Sequence, residues 1–206
     1  PEYRRQRQMC IRDSDIIEGL SRLEYRGYDS SGLAVFNKQR INSVRAEGKL
    51  ENLKKILKKK KINGKIGIGH TRWATHGVPS EINAHPHVTE KVALVHNGII
   101  ENFDILKKTL SKKGHNFKSQ TDSEVIANLL TDFLNEGFDP LESIKKTLPQ
   151  LKGSFAIAVL FSDYNVLVGA RKGSPLAFGF KDEKIFLGSD SLALAPFTQN
   201  VCFLEE

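Results

Sequence analysis

The chain has 206 residues, of which 39% are hydrophobic and 27% are charged, with 16 glycines and 7 prolines. This composition excludes disordered and fibrous proteins, because it supplies enough apolar residues for a core without an excess of glycine or proline. The sequence has no run of roughly 18 apolar residues and no apolar signal-peptide core, which excludes membrane-spanning and secreted classes and predicts a cytoplasmic protein with no membrane partner.

The formal net charge of +7 is concentrated in one segment. Between Lys49 and Lys65 there are eight lysines and one acidic residue, Glu51, and the segment contains neither arginine nor an aromatic residue. Arginine forks read base edges and aromatic rings stack on bases, so the segment lacks both devices. We interpret it as the solvated face of a helix and expect no nucleic-acid partner; a basic nucleic-acid patch is the alternative.

The first half of the chain predicts a helix followed by strands. A helix is predicted from about Asp15 to Glu24, because Asp15 and Glu18 have the spacing of an N-cap and its N3 partner. Alternating and short apolar runs then predict a hairpin and, after the lysine-rich helix, two buried strands. These are Gly32–Phe36 with Ile41–Ala46, then Ile66–His70 and Val92–His96.

The second half predicts three helices and then strands. The helices are expected at Asn102–Lys113 with Gly114 as the stop, from Thr121 or Asp122, and from Pro140 to about Leu148. The strands are expected at Ser154–Phe161, Val166–Ala170, Leu176–Phe180 and Lys184–Leu187, with a turn at Ser162–Asn165. Helix groups alternating with groups of short strands predict an α+β fold, a four-layer αββα sandwich of two antiparallel sheets between helices.

Polar residues are concentrated where predicted strands end and a predicted helix begins. The three clusters are Gly69–Gly77, Val95–Asn102 and Ser119–Glu124. Arg72 offers a planar fork for a carboxylate, and Asp122 could bind the ammonium group of the same α-amino acid. Asn97 and Gly98 could supply a side-chain amide and a backbone N–H to an oxyanion.

Each of these residues also has a structural interpretation. Arg72 could form an internal salt bridge, Trp73 could belong to the core, Asn97 and Gly98 could form a hairpin turn, and Asp122 could cap its helix. These alternatives are open on spacing alone.

Five histidines raise the question of a metal site. They are His70, His76, His85, His87 and His96. No cysteine or carboxylate stands in their immediate neighbourhood, so we interpret them as hydrogen-bonded polar residues and expect neither a metal nor an organic cofactor.

Taken together, the motifs resemble one family. The matching segments are Leu23–Val35, His70–Gly77, Asn83–His87, Val95–Asn102 and Ser119–Asp122. They are similar to the glutaminase domains of glutamine–fructose-6-phosphate aminotransferases (isomerizing), which are class II glutamine amidotransferases of the N-terminal nucleophile hydrolase superfamily. The resemblance covers residues 15–206 and implies the αββα fold.

The resemblance also implies roles for individual residues. Arg72 would bind the α-carboxylate of glutamine and Asp122 its α-amino group. Thr75 and His76 would line that pocket, and Asn97 and Gly98 would form the oxyanion hole. Trp73 would gate the passage of ammonia, and Arg26 would order the loop around the nucleophile.

The nucleophile is the part of the family pattern that the sequence does not match. The family uses an N-terminal cysteine in a Cys-Gly-Ile-Val-Gly-like strand, whose own α-amino group acts as the base. Cys10 is the candidate here, but its nitrogen lies in a peptide bond and no glycine follows it before residue 15. We therefore expect residues 1–14 to be an atypical leader that replaces the first strand, and we expect Cys10 to be inactive. Cys202 is expected to be a small buried residue in a strand.

The resemblance implies partners that act with this domain. Glutamine would be hydrolysed to glutamate, and the ammonia would pass to a sugar-phosphate isomerase domain that makes glucosamine 6-phosphate from fructose 6-phosphate. We expect residues 15–206 to be a domain truncated at its C-terminus, without activity of its own, from an enzyme that forms homo-oligomers. The alternatives are the glutaminase domain of another amidotransferase or a glutamine-binding fragment without catalysis.

Overall fold

The fold is known from a computed structural model that describes residues 11–37 and 40–205. Cys10 and the rest of residues 1–10 lie outside the described residues. The strands are β1 Ile11–Arg12, β2 Ser30–Asn37, β3 Arg40–Glu47, β4 Asn63–Gly64, β5 Ile66–Arg72, β6 His87–Val88, β7 Val92–Ile100, β8 Gly153–Phe161, β9 Val166–Lys172, β10 Ala177–Lys181, β11 Lys184–Gly188 and β12 Val201–Phe203. The helices are α1 Asp13–Ser21, α2 Leu50–Lys59, α3 Phe103–Lys112, α4 Glu124–Asn135, α5 Pro140–Thr147 and α6 Ser191–Leu194.

Two antiparallel sheets form the centre of the molecule. The first has the strand order β3-β2-β5, and the second has the order β6-β7-β8-β9. In the first sheet Leu33 pairs with Val44 on one side and with Gly69 on the other. The predicted hairpin and the predicted buried strands are therefore confirmed, and each strand is two to four residues longer than its apolar run.

Three apolar clusters show how the layers stack. A cluster between the two sheets contains Ala34, Phe36 and Ile68 from the first sheet and Ala93 and Leu160 from the second. A second cluster joins the outer face of the first sheet to α1 and α2, and the largest joins the outer face of the second sheet to α3, α4 and α5. The order is helices, sheet, sheet, helices, which is the predicted four-layer sandwich.

The lysine-rich segment folds as the amphipathic helix α2. Leu50, Leu53 and Leu57 are buried against the first sheet, at the helical spacing that places them on one face. Lys55, Lys58 and the lysines that follow are exposed. The interpretation of this segment as a solvated helix face agrees with this arrangement.

Several predicted boundaries were wrong. Asp15 lies inside α1, which begins at Asp13 and ends at Ser21. The helix that was predicted to start at Thr121 or Asp122 begins at Glu124, because the preceding residues form the polar loop of the site described below. Cys202 was expected to be buried, but it is exposed in β12, which lies at the edge of a third sheet of order β11-β10-β12.

The first described strand is short. β1 has two residues and pairs with Gly64 and Asn63 of β4. β5 pairs with β2 on one side, and no strand among the described residues pairs with its other side. No helix in residues 11–37 and 40–205 is long and apolar enough to cross a membrane.

Candidate functional site

One large cavity opens where β5 of the first sheet and β7 of the second come together. Its volume is about 1120 Å³. Its lining includes eight of the residues singled out in the sequence, namely Arg26, Arg72, Trp73, Thr75, His76, Asn97, Gly98 and Asp122. Residues spread over almost a hundred positions of sequence therefore share one surface.

Arg72 is the last residue of β5 and is 4% exposed. Its Nη2 donates to the carbonyl oxygen of Gly77 at 3.0 Å and to that of His76. Its Nη1 lies 3.8 Å from Oδ1 of Asp29, beyond hydrogen-bond distance, and has no hydrogen-bond partner among the described residues. The guanidinium thus has an internal ion pair, as one interpretation expected, and one buried nitrogen without a hydrogen-bond partner among the described residues.

Asp122 supplies the opposite charge at the same cavity. It is 3% exposed, and its Oδ2 accepts a hydrogen bond from the backbone N–H of Ile100 at 2.8 Å. Burial lowers the pKa of Arg72, while the negative charges of Asp29 and Asp122 act in the opposite direction. The negative charge of Asp122 therefore acts on Arg72, and both residues line the same cavity, as a clamp for an α-amino acid requires.

Asp122 does not cap α4. Ser123 is the N-cap residue, and no side-chain capping hydrogen bond forms there. The carboxylate of Asp122 is committed instead to Ile100 and to the hydroxyl of Ser123. The capping interpretation was wrong, because the chain enters α4 two residues later than the sequence pattern indicated.

Asn97 and Gly98 lie inside β7, opposite Ala156 and Phe155 of β8, and do not form a hairpin turn. Gly98 has a φ of +143°, and a Cβ there would lie 2.1 Å from the carbonyl oxygen of Ser154. Only glycine fits this backbone. The wall of the cavity thus has a side-chain amide next to an irregular main chain, an arrangement that can offer donors to an oxyanion.

Trp73 and Arg26 lie at the open side of the cavity. Trp73 is 60% exposed and contacts Tyr28 edge to face, with ring centroids 5.5 Å apart, so its assignment to the core was wrong. Arg26 forms an ion pair with Asp190 at 3.2 Å, and the hydroxyl of Tyr25 donates to the same carboxylate. This rim is built from aromatic and charged side chains of three distant segments of the chain.

The loop after β5 carries Thr75 and His76. Thr75 is exposed, and His76 is half-buried against Phe103, with ring centroids 5.2 Å apart. Asn83 ties this loop to the one before α4: its Oδ1 accepts from the backbone N–H of Gln120 at 2.9 Å, and its Nδ2 donates to the side chain of Gln120 at 3.2 Å. These bonds hold the loop that follows Arg72 against the loop that contains Asp122.

Four histidines lie close together beside the cavity: His85, His87 and His96 are buried, and His70 is half-buried. Burial is the main cause that lowers the pKa of each. The pKa is about 3 for His70 and for His87 and about 4 for His96, and it is well below 6.5 for His85. Nearby groups that can carry a positive charge lower each value further: Arg45 for His87, Arg72 for His70, His85 and His87, and neighbouring histidines when they are protonated. The rings are therefore neutral at pH 7.

The expectation that these histidines are fully hydrogen-bonded was wrong. His87 Nε2 contacts the hydroxyl of Thr121 at 2.9 Å, but both ring nitrogens of His85 lack a partner among the described residues. One nitrogen each of His70, His76 and His96 also lacks a partner there, because these rings border the cavity. Within the described residues, no three His, Cys, Asp or Glu side chains are arranged to hold a metal ion.

The sequence did not identify Asp29, Asn83, His96 and Ser123 as site residues. Asp29 pairs with Arg72 and accepts from the backbone N–H of Ala74. A signal was present for Asp29, since a residue close before the apolar run Gly32–Phe36 is an unusual position for a solvated charge. The contacts of the others depend on tertiary structure.

Comparison with known proteins gives a consistent result. A family model for the glutamine amidotransferase domain matches residues 70–196. Glutamine–fructose-6-phosphate aminotransferase (isomerizing) of Zymomonas mobilis subsp. mobilis is 53% identical over 192 residues, which cover 93% of this chain. The enzyme of that name from Bartonella henselae is 52% identical over 198 residues, which cover 96% of it. The chain spans 32% of the length of each of these curated relatives.

A solved structure has the same fold. Glutamine phosphoribosylpyrophosphate amidotransferase from B. subtilis superimposes with a TM-score of 0.76 and 26% identity. The similarity covers 88% of this chain and 40% of that chain.

Proposed function

The chain belongs to the family of glutamine amidotransferase domains, and on this premise we propose that it is the glutamine-binding and glutamine-hydrolysing part of an enzyme that aminates fructose 6-phosphate. The observation that carries the proposal is the single cavity that holds Arg72 and Asp122 beside Asn97 and Gly98. The reaction is hydrolysis of the side-chain amide, in which glutamine and water give glutamate and ammonia.

The charges of the cavity match the two ends of an α-amino acid. The free Nη1 of Arg72 would bind the α-carboxylate, and Asp122 would accept hydrogen bonds from the α-ammonium group. Thr75 and His76 would close the pocket around this end. The side chain of glutamine would then extend to the wall formed by Asn97 and Gly98.

Asn97 and Gly98 would stabilise the reacting centre. Attack on the amide carbon places negative charge on the amide oxygen, and donors fixed in advance stabilise that charge most effectively. A cysteine thiolate would form a thioester and release ammonia, and water would then release glutamate. The nucleophile needs a nearby base, and the nitrogen of Cys10, which is part of a peptide bond, cannot serve as that base.

The cavity has room for an extended segment that would carry a nucleophile. Beyond His70 it continues along β5 to Lys65 and beneath Ile16 and Leu20 of α1. An extended segment placed there would pair with the side of β5 that β2 does not cover. We propose that the sequence as it stands binds glutamine but hydrolyses it slowly or not at all.

Two sequence comparisons favour fructose 6-phosphate as the final acceptor. The aminotransferase relatives are about twice as similar in sequence as the phosphoribosylpyrophosphate amidotransferase. The sugar-phosphate isomerase domain would be the partner that receives ammonia. Trp73 and Arg26 on the rim would contact the path by which ammonia leaves the cavity for that domain.

The test is to rebuild the first strand. Residues 1–14 are replaced by a segment that begins with Cys-Gly-Ile-Val-Gly at a free N-terminus, and release of glutamate from glutamine is measured. We expect activity to appear, and we expect Arg72→Ala to raise KM by about tenfold to a hundredfold, since a hydrogen-bonded charge pair is lost.

The matched control is Arg40→Ala, which removes an exposed arginine from β3 outside the cavity and should leave KM unchanged. A folded protein with the rebuilt strand and no glutaminase activity would contradict catalysis. Binding of glutamine by that inactive protein would leave the second candidate, a glutamine-binding domain without catalysis.

A further inference from the structure

Ser123 stands at an unusual place for an N-cap serine. The hydroxyl of an N-cap serine commonly accepts a hydrogen bond from a backbone N–H of the first helical turn. Here no such bond forms, and the residue has helical backbone angles of −71° and −31°. The hydroxyl lies 2.9 Å from Nδ1 of His96 and 3.3 Å from Oδ1 of Asp122. Ser123 thus links a buried histidine to the carboxylate of the cavity.

The direction of these hydrogen bonds follows from the number of protons. A carboxylate only accepts, so the hydroxyl of Ser123 donates its single proton to Asp122. The same oxygen must then accept the second hydrogen bond, which requires a proton on Nδ1 of His96. A neutral imidazole carries one proton, so Nε2 of His96 is left bare, and it has no partner among the described residues.

Burial supports the neutral state of this histidine. His96 is 4% exposed, and burial lowers its pKa to about 4, against the opposing charge of Asp122 and with a further lowering by His76. A single proton therefore has to be placed on one of two nitrogens, and the chain of hydrogen bonds determines which.

Both oxygens of Asp122 are held by this arrangement. Oδ1 accepts from Ser123, and Oδ2 accepts from the backbone N–H of Ile100 in β7. The carboxylate is thereby fixed in orientation before a ligand arrives, and each oxygen keeps a further acceptor position in a residue that lines the cavity. Fixing a binding group in advance reduces the entropy lost on binding.

We propose that His96 and Ser123 are positioning residues that orient the carboxylate of Asp122 toward the α-ammonium group of the amino acid. The proposal rests on the proposed function, because it takes glutamine as the ligand. His96 and Ser123 act through Asp122 and need not touch the ligand. Through the hydrogen bonds His96–Ser123–Asp122, recognition of the ammonium group depends on three residues.

The first test reads the proton directly and needs no ligand. Proton–nitrogen NMR correlations of the imidazole rings are recorded on the full chain at pH 7, with the signal of His96 assigned by its loss in His96→Gln. We expect a protonated Nδ1 and a bare Nε2 for His96. A proton on Nε2 in the wild-type protein would overturn the chain of hydrogen bonds.

The second test separates the ammonium group from the rest of glutamine. Binding of L-glutamine and of glutaramic acid, which has hydrogen in place of the α-ammonium group, is measured by calorimetry. We expect Ser123→Ala to weaken the binding of L-glutamine about tenfold, which is the effect of one lost hydrogen bond near a charge. The binding of glutaramic acid should be unchanged. Equal weakening of both ligands, or of neither, would overturn the positioning role.

Two variants of His96 control for geometry, and a variant of a second buried serine controls for folding. His96→Asn keeps a donor near the position of Nδ1 and should retain most of the affinity, whereas His96→Leu should lose as much as Ser123→Ala. Ser143→Ala removes another buried serine hydroxyl, in α5 and outside the cavity, and should change neither ligand. Wild-type protein that binds neither ligand would overturn the proposed function and the ligand role, while the NMR result would still decide the hydrogen-bond chain.

Discussion

At the scale of single residues, the site depends on backbone positions as much as on charged groups. Gly98 is the clearest case, because its φ of +143° and its contact with Ser154 leave no room for a side chain. Gly77, with a φ of +76°, lies similarly close to Asn83 and Gln120 in the loop that carries the second carbonyl partner of Arg72. The backbone at Gly98 and Gly77 therefore determines the direction of the hydrogen-bond donors that line the cavity.

Gly98→Ala should destabilise the protein by about 2 kcal/mol or more, because an unfavourable φ and a steric clash with the neighbouring strand add together. The measurement is the free energy of unfolding in urea. The control is Gly114→Ala, where φ is +95° but no atom lies within 4 Å of the added Cβ. That change should cost about 1 kcal/mol, from the backbone alone. Equal losses at the two positions would contradict the close contact described for Gly98.

The buried histidines predict how stability changes with pH. The folded pKa values of about 3 to 4 for His70, His87 and His96 lie below the ordinary value of 6.5. Below pH 6.5 the unfolded chain therefore binds protons that the folded protein does not bind. Stability should be complete above pH 6.5 and should fall as the pH decreases toward 4, by about 1.4 kcal/mol per pH unit for each histidine that stays neutral.

Urea unfolding at pH 7.5, 6.5 and 5.5 measures this effect. The variant His87→Gln keeps a polar group near Thr121 but cannot titrate, so the loss of stability with acid should shrink by the share of one histidine. A midpoint that does not change between pH 7.5 and pH 5.5 would contradict neutral burial of the histidine cluster.

At the scale of elements, the packing of α1 on β5 determines the width of the cavity. Gly67 and Gly69 of β5 lie under α1, and a Cβ on Gly69 would come within 2.4 Å of Ile16 Cγ2. The helix can approach the strand only because these positions lack side chains. Since α1 and β5 both border the cavity, this close approach limits one of its sides.

Gly69→Ala should lower the free energy of unfolding by about 1 to 3 kcal/mol through overpacking. Adding Ile16→Ala, which opens space at that contact, should recover part of the loss, so the double variant should be more stable than the sum of the two single changes indicates. Gly137→Ala, with no neighbouring atom within 4 Å, is the control that should show no such coupling. Strict additivity between Gly69→Ala and Ile16→Ala would show that α1 does not pack as described.

The elements that the sequence predicted well are those with a strong local pattern. Apolar runs located β2, β5, β7 and β8, and helical spacing located α2 and α3, because these segments bury one face or both. The start of α4 was missed because Thr121 and Asp122 have side chains typical of a helix start, but Thr121 contacts His87, and Asp122 binds Ile100 and Ser123 instead. The exposure of Trp73 could not be predicted either, because it depends on a rim made with Tyr28 from a distant segment.

At the scale of the whole molecule, the sandwich explains why an amino acid can be held at both ends. Arg72 comes from the last residue of β5 in one sheet, and Asp122 is bonded to Ile100 at the end of β7 in the other. The two sheets pack face to face through a common apolar cluster, so the two charges are fixed relative to each other by the core. The binding site is thus a property of the stacking of the sheets.

The most direct test of this account is calorimetric titration of the full chain with L-glutamine, in the wild type and in Arg72→Ala, Asp122→Asn and Arg40→Ala, each with its unfolding midpoint checked. We predict one molecule of glutamine per chain, binding at least tenfold weaker in the first two variants, and unchanged binding in the third. No binding by the folded wild-type protein, or binding by Arg72→Ala or Asp122→Asn that is as tight as in the wild type, would contradict a shared pocket for the two ends of glutamine.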